Sequence, residues 1–207
     1  MKLFDVIRES GWLMLPIILC SVFSLTILLE RFLFYSKTKG DTASLLPKIL
    51  DAVRKNKITE AIDLCENNPY YVTNILKVGL LRSEESRENI KETMENASFY
   101  EIPKMEKNLN FLSTIAHISP LLGLLGTVVG MITCFDAVKG GAVSMGVINP
   151  SQLAGGIATA LYTTAAGLCV AIPAYLAYNY FVHRVNIYVL EMERSATELL
   201  EALSERS

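Results

Sequence analysis

Charged residues are missing from three long stretches of this 207-residue sequence, and their absence excludes an ordinary soluble domain. Residues 11–29, 108–135 and 140–182 contain no Asp, Glu, Lys or Arg. A helix needs about 20 apolar residues to cross the hydrocarbon core of a bilayer. With 51% hydrophobic residues, 19% charged residues and a mean hydropathy of +0.34, the chain is too apolar for one soluble domain. The sequence therefore predicts an integral protein of the phospholipid bilayer with three transmembrane helices.

Other absences exclude classes of function. The net charge of -2 provides no basic surface for nucleic acid. Cys20, Cys65, Cys134 and Cys169 lie far apart, without CxxC or Cys/His ligand spacing, so we interpret them as small apolar residues. A buried Asp pair and the HExxH and GxSxG motifs are also missing, which argues against a membrane-embedded protease or transferase. We expect no enzyme activity, no cofactor and no metal.

Lysine and arginine are distributed unevenly, and this predicts the orientation. Of the 19 Lys and Arg residues, twelve lie within residues 35–107 and three after residue 183. The positive-inside rule therefore places both regions in the cytoplasm and the N-terminus outside. Acidic residues before the first span and the length of its apolar run favour a retained anchor over a signal peptide. The predicted order is an external N-terminus (1–11), a transmembrane helix (12–34), a cytoplasmic helical domain (35–110), a second transmembrane helix (111–135), an external loop (136–151), a third transmembrane helix (152–182) and a cytoplasmic C-terminal helix (183–207).

The cytoplasmic regions carry helical patterns. KITEAIDLCEN, residues 57–67, has the apolar spacing of an amphipathic helix, and Asn67-Asn68-Pro69 should end it. YVTNILKVGLL, residues 71–81, predicts a second helix. Residues 83–107 should form a long helix that runs straight into the second span, and the residues after 183 should prolong the third span.

The second and third spans each have one side made of small residues. At 100° per residue, the small side of the second span consists of Ala116, Ser119, Gly123, Gly126, Thr127, Gly130 and Cys134. In the third span it consists of Gly155, Gly156, Thr159, Ala160, Thr163, Ala166, Gly167 and Ala171, with Thr164 rotated away. Small residues let helix backbones approach in lipid. Six glycines are therefore predicted to pack against neighbouring helices: Gly123, Gly126, Gly130, Gly155, Gly156 and Gly167.

The threonines of these spans have two interpretations. Their hydroxyls either bond carbonyls of their own helix and hold helices together, or they line a narrow polar path. An ion path normally needs an ionisable group inside the membrane, so a relay carboxylate would have to come from another chain. His117 lies in the first turns of the second span, and we interpret it as an interfacial histidine without a mechanistic role.

Two gapped motifs carry a resemblance to a known family. They are SPLLGLLGTVVGMI at residues 119–132 and GGIATALYTTAAGLCVAIPAYLAYN at residues 155–179. Together with LLERF at 28–32 and ITEAIDLCENNP at 58–69, they resemble the ExbB/TolQ/MotA family of bacterial proton-driven membrane motors. The three spans look like its ExbB/TolQ branch.

The resemblance implies an all-α homopentamer in the bacterial inner membrane, with a periplasmic N-terminus and a cytoplasmic C-terminus. Spans two and three of each copy would line a pore around two helices of a single-span partner similar to ExbD or TolR, which supplies a membrane Asp. Protons would move the partner, and the work would reach a TonB- or TolA-like protein for outer-membrane transport or envelope maintenance. Thr127 and Thr164 match the family's pore threonines, and Thr163 is a further pathway candidate.

This chain departs from the pattern at Thr159, where ExbB and TolQ members often have Glu. If that Glu assists proton exit in the other members, this chain would release protons in a different way or through water between hydroxyls. The alternatives that stay open are a non-conducting membrane scaffold and a motor of the same family that uses another cation, such as sodium, or that drives motility.

Overall fold

The computed structural model describes residues 12–37, 42–144 and 150–205, which form helices without any strand. Three of these helices contain stretches long and apolar enough to cross a membrane: Met14–Ser36, Leu109–Asp136 and Ala154–Glu205. The all-α class and the three candidate membrane helices are therefore confirmed. The helices are α1 (Met14–Lys37), α2 (Thr42–Arg54), α3 (Ile58–Glu66), α4 (Tyr71–Leu81), α5 (Arg87–Glu106), α6 (Leu109–Ser144) and α7 (Pro150–Glu205).

The described chain divides into two compact units. The apolar unit consists of the described residues up to Glu30 together with Asn108–Tyr180. Large apolar side chains are exposed along its helices, as in Leu15 at 62%, Phe23 at 60% and Leu121 at 62%. Such a continuous apolar exterior would be costly in water but is suited to lipid.

The polar unit consists of Arg31–Lys107 and the described residues from Phe181 onward. Its core is aliphatic, with Ile49, Val53 and Leu199 fully buried. Aromatic rings extend this core: Tyr35 stacks on Phe181 and on Tyr188 at centroid distances of 5.4 and 5.9 Å. The unit therefore has a hydrophobic core of its own.

Two predicted helices of the polar unit are confirmed, and one helix was not predicted. Helix α3 ends at Glu66, directly before the predicted Asn-Asn-Pro stop, and α4 covers the predicted residues 71–81. Helix α2 was missed, although its apolar residues Ile49, Leu50 and Val53 are buried at helical spacing. Its spacing was a readable signal of an amphipathic helix.

The prediction that the helix after residue 83 continues into the second span is wrong. Helix α5 ends at Glu106, and Asn108 has a φ of 63°, which interrupts the helical backbone before α6 begins. Asn adopts this left-handed conformation more readily than most residues. The fully buried Arg31 donates to the carbonyls of Lys104 and Met105 at 3.3 Å each, so a cation satisfies the negative end of α5.

The structure also differs from the loop predicted over residues 136–151. Helix α6 extends to Ser144, and α7 begins at Pro150. Two glycines at 140 and 141 cost helix stability, but no proline interrupts residues 136–144, and each added residue of an existing helix gains a hydrogen bond. Residues 145–149 and the predicted external N-terminus over 1–11 lie outside the described residues. In the C-terminal part, the third span continues as one helix to Glu205, as predicted.

Candidate functional site

Helices α6 and α7 of the apolar unit pack backbone against backbone through glycines. A Cβ added at Gly123 would lie 3.0 Å from the Cα of Thr164, and one added at Gly130 would lie 2.9 Å from the Gly156 carbonyl oxygen. A Cβ at Gly167 would meet the Ser119 carbonyl oxygen at 2.5 Å. A backbone cannot move aside as a flexible side chain can, so these positions require glycine for the observed contact.

Gly126 and Gly155 differ in their surroundings. A Cβ at Gly126 would collide with the side chain of Thr163. A Cβ at Gly155 would meet nothing within 4 Å in this chain. The structure therefore joins Gly123, Gly126, Gly130, Gly156 and Gly167 in one contact between α6 and α7, but it does not include Gly155 in that contact.

Thr163 lies inside the contact between the two helices. Its side chain is 1% exposed, and its Oγ1 donates to the carbonyls of Thr159 and Ala160 at 3.1 and 2.9 Å. The hydroxyl is thus satisfied by its own helix, while the rest of the side chain fills the space left by Gly126. This geometry suits packing better than contact with an ion.

Thr164 bonds across to the other helix. Its Oγ1 donates to the Gly123 carbonyl oxygen on α6 at 3.0 Å, with a longer contact of 3.3 Å to Ala160 of its own helix. The side chain is half-buried. Thr164 therefore joins α6 to α7 at the edge of the glycine contact.

Thr127 lies one helical turn along α6 from Gly123, so its level is close to that of Thr164. The Thr127 side chain is half-buried, and its Oγ1 donates to the Leu124 carbonyl at 2.6 Å. Thr159, one turn before Thr163, is also half-buried. The structure thus places Thr127 and Thr164 at neighbouring levels of one helix pair, and Thr163 inside that pair.

These hydroxyls are arranged as hydrogen-bond acceptors. A threonine hydroxyl has one proton to donate and two lone pairs to accept. In Thr127 and Thr164 the proton is directed to a backbone carbonyl, so the oxygen lone pairs remain for another group. Such an oxygen can accept a hydrogen bond from water or from a protonated carboxyl group without placing a fixed charge in the membrane.

Ser119 is a polar residue of the contact that sequence reasoning did not single out. Its side chain is 0% exposed, and its Oγ has no hydrogen-bond partner in the structure. Its position on the small side of α6 was readable from the sequence, but its lack of a partner depends on which α7 residue faces it. The backbone contact with Gly167 leaves no side chain there to bond the hydroxyl.

No group of three His, Cys, Asp or Glu side chains in the described part of the chain could hold a metal ion. The candidate site is a helix contact with hydroxyl acceptors along its edge.

Comparison with known proteins gives a family match over most of the described helices. The model of the MotA/TolQ/ExbB proton channel family matches residues 67–194. The chain is 33% identical over 183 residues to ExbB-like 1 of Synechocystis sp., covering 87% of this chain and 71% of that protein. It is 33% identical over 175 residues to the biopolymer transport protein exbB1 of Vibrio cholerae, covering 81% and 73%. It is 44% identical over 86 residues to the Tol-Pal system protein TolQ of Haemophilus influenzae, covering 42% and 36%.

Proposed function

Because the chain belongs to the MotA/TolQ/ExbB proton channel family, we propose that it is the pore-forming subunit of a proton-driven motor in the bacterial inner membrane. The family is one of transport proteins rather than enzymes. The observation that carries the proposal is the position of the Thr127 and Thr164 hydroxyls, which present acceptor oxygens beside an otherwise apolar helix pair.

In this proposal five copies surround two transmembrane helices of an ExbD/TolR-like partner, and a TonB- or TolA-like protein receives the work. The relatives' names, a biopolymer transport protein and a Tol-Pal system protein, support this class of system. Apolar side chains such as Leu121, Leu161 and Leu176 are more than half exposed in the single chain. These faces, with the open surface at Gly155, are available for neighbouring helices in an assembly.

The hydroxyls would act on the partner's carboxyl group. A protonated carboxyl has an O–H that can donate to the free lone pairs of Thr127 or Thr164, whereas a carboxylate has no proton to donate. Hydrogen bonding to the neutral form favours that form. The carboxyl would therefore be held protonated at the level of the threonines and would lose its proton after moving away from them. This cycle uses no ionisable group of the present chain at mid-membrane.

Thr159 would serve the outer side of the path, because it precedes Thr164 in a span that is predicted to run inward from residue 152. A threonine cannot carry a proton as the common Glu of the family can, so we propose that water near this hydroxyl carries it. Thr159→Glu should accordingly be tolerated better than Thr159→Leu, which removes every polar atom of the side chain.

The proposal is tested by removing the two hydroxyls while keeping the side-chain shape. Val has nearly the shape of Thr but cannot accept a hydrogen bond, so Thr127→Val/Thr164→Val should fold and assemble but lose proton flux. Without the two hydroxyls, the partner's carboxyl would lose its hydrogen-bond acceptors. An unsatisfied buried polar group costs about 1–3 kcal/mol. A transport barrier higher by that amount corresponds to a flux lower by about five- to 150-fold. The measurement is proton uptake into vesicles that hold the complex, with complex abundance quantified in the same membranes.

Two variants serve as controls for this test. Thr127→Ser/Thr164→Ser keeps both hydroxyls and should retain most of the flux. Thr163→Val removes the hydroxyl that is buried inside the helix contact, so it should change flux less than the double Val variant does. Full flux in Thr127→Val/Thr164→Val would show that these two threonines serve helix packing alone and not the proton path.

A further inference from the structure

An imidazole and a phenol meet near the start of α6 in the apolar unit. The rings of His117 on α6 and Tyr175 on α7 have centroids 6.1 Å apart and are nearly perpendicular, at 87°. Both side chains are exposed in the single chain, Tyr175 at 50%. His117 is the one histidine of the 108–135 run, which contains no Asp, Glu, Lys or Arg.

The hydrogen bond of His117 determines which ring nitrogen is open. Nδ1 lies 2.7 Å from the Ser113 carbonyl oxygen, and a carbonyl can only accept. Nδ1 therefore carries the hydrogen of the neutral ring, and Nε2 carries the lone pair. No hydrogen bond of Nε2 is seen within the described residues, so the ring can take a proton there and keep its bond to Ser113.

The histidine lies on the same side of the helix pair as the candidate path. Tyr175 follows Thr164 by eleven residues, which corresponds to about three turns, a rotation of about 20° and a rise of about 16 Å. Tyr175 and Thr164 are thus on one side of α7, and both contact α6. The imidazole that contacts Tyr175 therefore lies on the same side of α7 as Thr164, nearer the inner end.

The surroundings of His117 argue against a merely structural role. An ionisable side chain within a membrane span is a candidate for a role in transport. Tyr175 is the titratable side chain in contact with the imidazole, and no described acidic group pairs with it. The contacts of His117 involve Nδ1 and the ring, and they leave Nε2 without a partner among the described residues.

We infer that His117 is the proton acceptor at the inner end of the path and that Tyr175 is its positioning residue. Nε2 takes up the proton that the partner's carboxyl releases, carried by water on the Thr164 side, which forms an N–H bond and gives the imidazolium, while Nδ1–H remains on the Ser113 carbonyl. The Nε2–H bond then breaks as the proton passes to cytoplasmic water, and the ring returns to its neutral form. The inference rests on the proposed function and specifies a residue for the step after the threonines.

The first test is proton flux in liposomes that contain the complex co-purified with its partner, driven by a pH gradient and read with an enclosed pH dye. His117→Gln should lower the flux by about tenfold or more. It should also weaken the dependence of flux on inner-side pH. The matched control is His183→Gln, which changes the chain's other histidine and should leave flux and pH profile unchanged. Tyr175→Phe keeps the ring edge and should conduct, whereas Tyr175→Leu should not.

The second test needs no transport activity. In the His183→Gln chain, His117 is the single histidine, so ¹⁵N-histidine labelling reports its ring alone. The neutral ring should show a protonated Nδ1 and a bare Nε2. A neutral ring protonated on Nε2 would overturn the inference, even if the His117→Gln variant failed to assemble.

The outcomes separate the two proposals. Absence of flux in the unaltered complex would overturn the proposed function together with this inference. Flux in the unaltered complex that His117→Gln leaves unchanged in rate and pH profile would overturn the inference alone and leave the role of Thr127 and Thr164 standing.

Discussion

At the scale of single residues, hydroxyl groups of the apolar unit differ in how they are satisfied. The Thr127 and Thr163 hydroxyls donate to carbonyls of their own helix, and the Thr164 hydroxyl donates to the Gly123 carbonyl on α6. Ser119 bonds nothing and is completely buried. A buried hydroxyl without a partner costs about 1–3 kcal/mol. Removing the Ser119 hydroxyl should therefore raise the free energy of unfolding.

The substitution Ser119→Ala should therefore stabilise the protein. It removes the unsatisfied oxygen and leaves a methyl group that fits beside Gly167. We expect the purified protein in detergent to gain about 1 kcal/mol of unfolding free energy, seen as a higher thermal unfolding temperature. Ser113→Ala provides the control, because Ser113 is half-buried whereas Ser119 is completely buried. A Ser119→Ala variant that unfolds at a lower temperature would show that the hydroxyl has a partner in the membrane.

At the scale of helices, glycines explain how α6 and α7 approach. The two helices touch where Gly126 faces Thr163 and where Gly130 faces Gly156, and both contacts exclude a Cβ. The same chain has an open glycine at position 155. This pair of positions separates the effect of helix packing from the effect of glycine on helix propensity.

Alanine at these two positions should have opposite effects. Gly126→Ala forces a methyl group against Thr163 and should destabilise the protein by about 1–3 kcal/mol. Gly155→Ala has space around it and should be neutral or stabilising by up to about 1 kcal/mol, because alanine favours the helix. Thermal unfolding of both variants in detergent is the measurement. Equal stability of the two variants would mean that the contact at Gly126 does not hold the helices together. Gly126→Leu should be more severe, and the proposed oligomer should dissociate or lose its proposed partner.

At the scale of the whole molecule, the arrangement of charge implies one orientation in the membrane. Cysteine replacements at Lys2 and Met145, both outside the described residues, should react with an impermeant label from the periplasm. Replacements at Lys77 and Glu198 should react only after the inner side is opened. Labelling of position 77 from outside in intact cells would contradict the proposed topology.

The native Cys65 should interfere little with this measurement. It is 2% exposed, and burial raises the pKa of its thiol to about 11. The reactive form is the thiolate, so Cys65 should remain a protonated, slowly reacting thiol at the neutral pH of labelling. Its reaction should accelerate only as the pH rises toward 11 or as the polar unit unfolds. A Cys65→Ala background provides the comparison for the signal at position 77.

The sequence by itself determined the features that repeat along one helix. The three charge-free runs, the ends of α3 and α4 and the small sides of α6 and α7 follow from spacing within a few turns, because helical periodicity is a local property. The family was likewise readable from residues 119–132 and 155–179 alone, since the residues of each motif lie within one short stretch of chain.

Only the tertiary structure decided which sides of these helices meet. It set Gly126 against Thr163, left Gly155 open and gave Thr164 the Gly123 carbonyl as its acceptor. It also ended α5 before Asn108, where Arg31 bonds carbonyls more than seventy positions away in the chain. Such contacts depend on the register between distant segments, which no local spacing specifies, so the candidate residues were predictable individually while their partners were not.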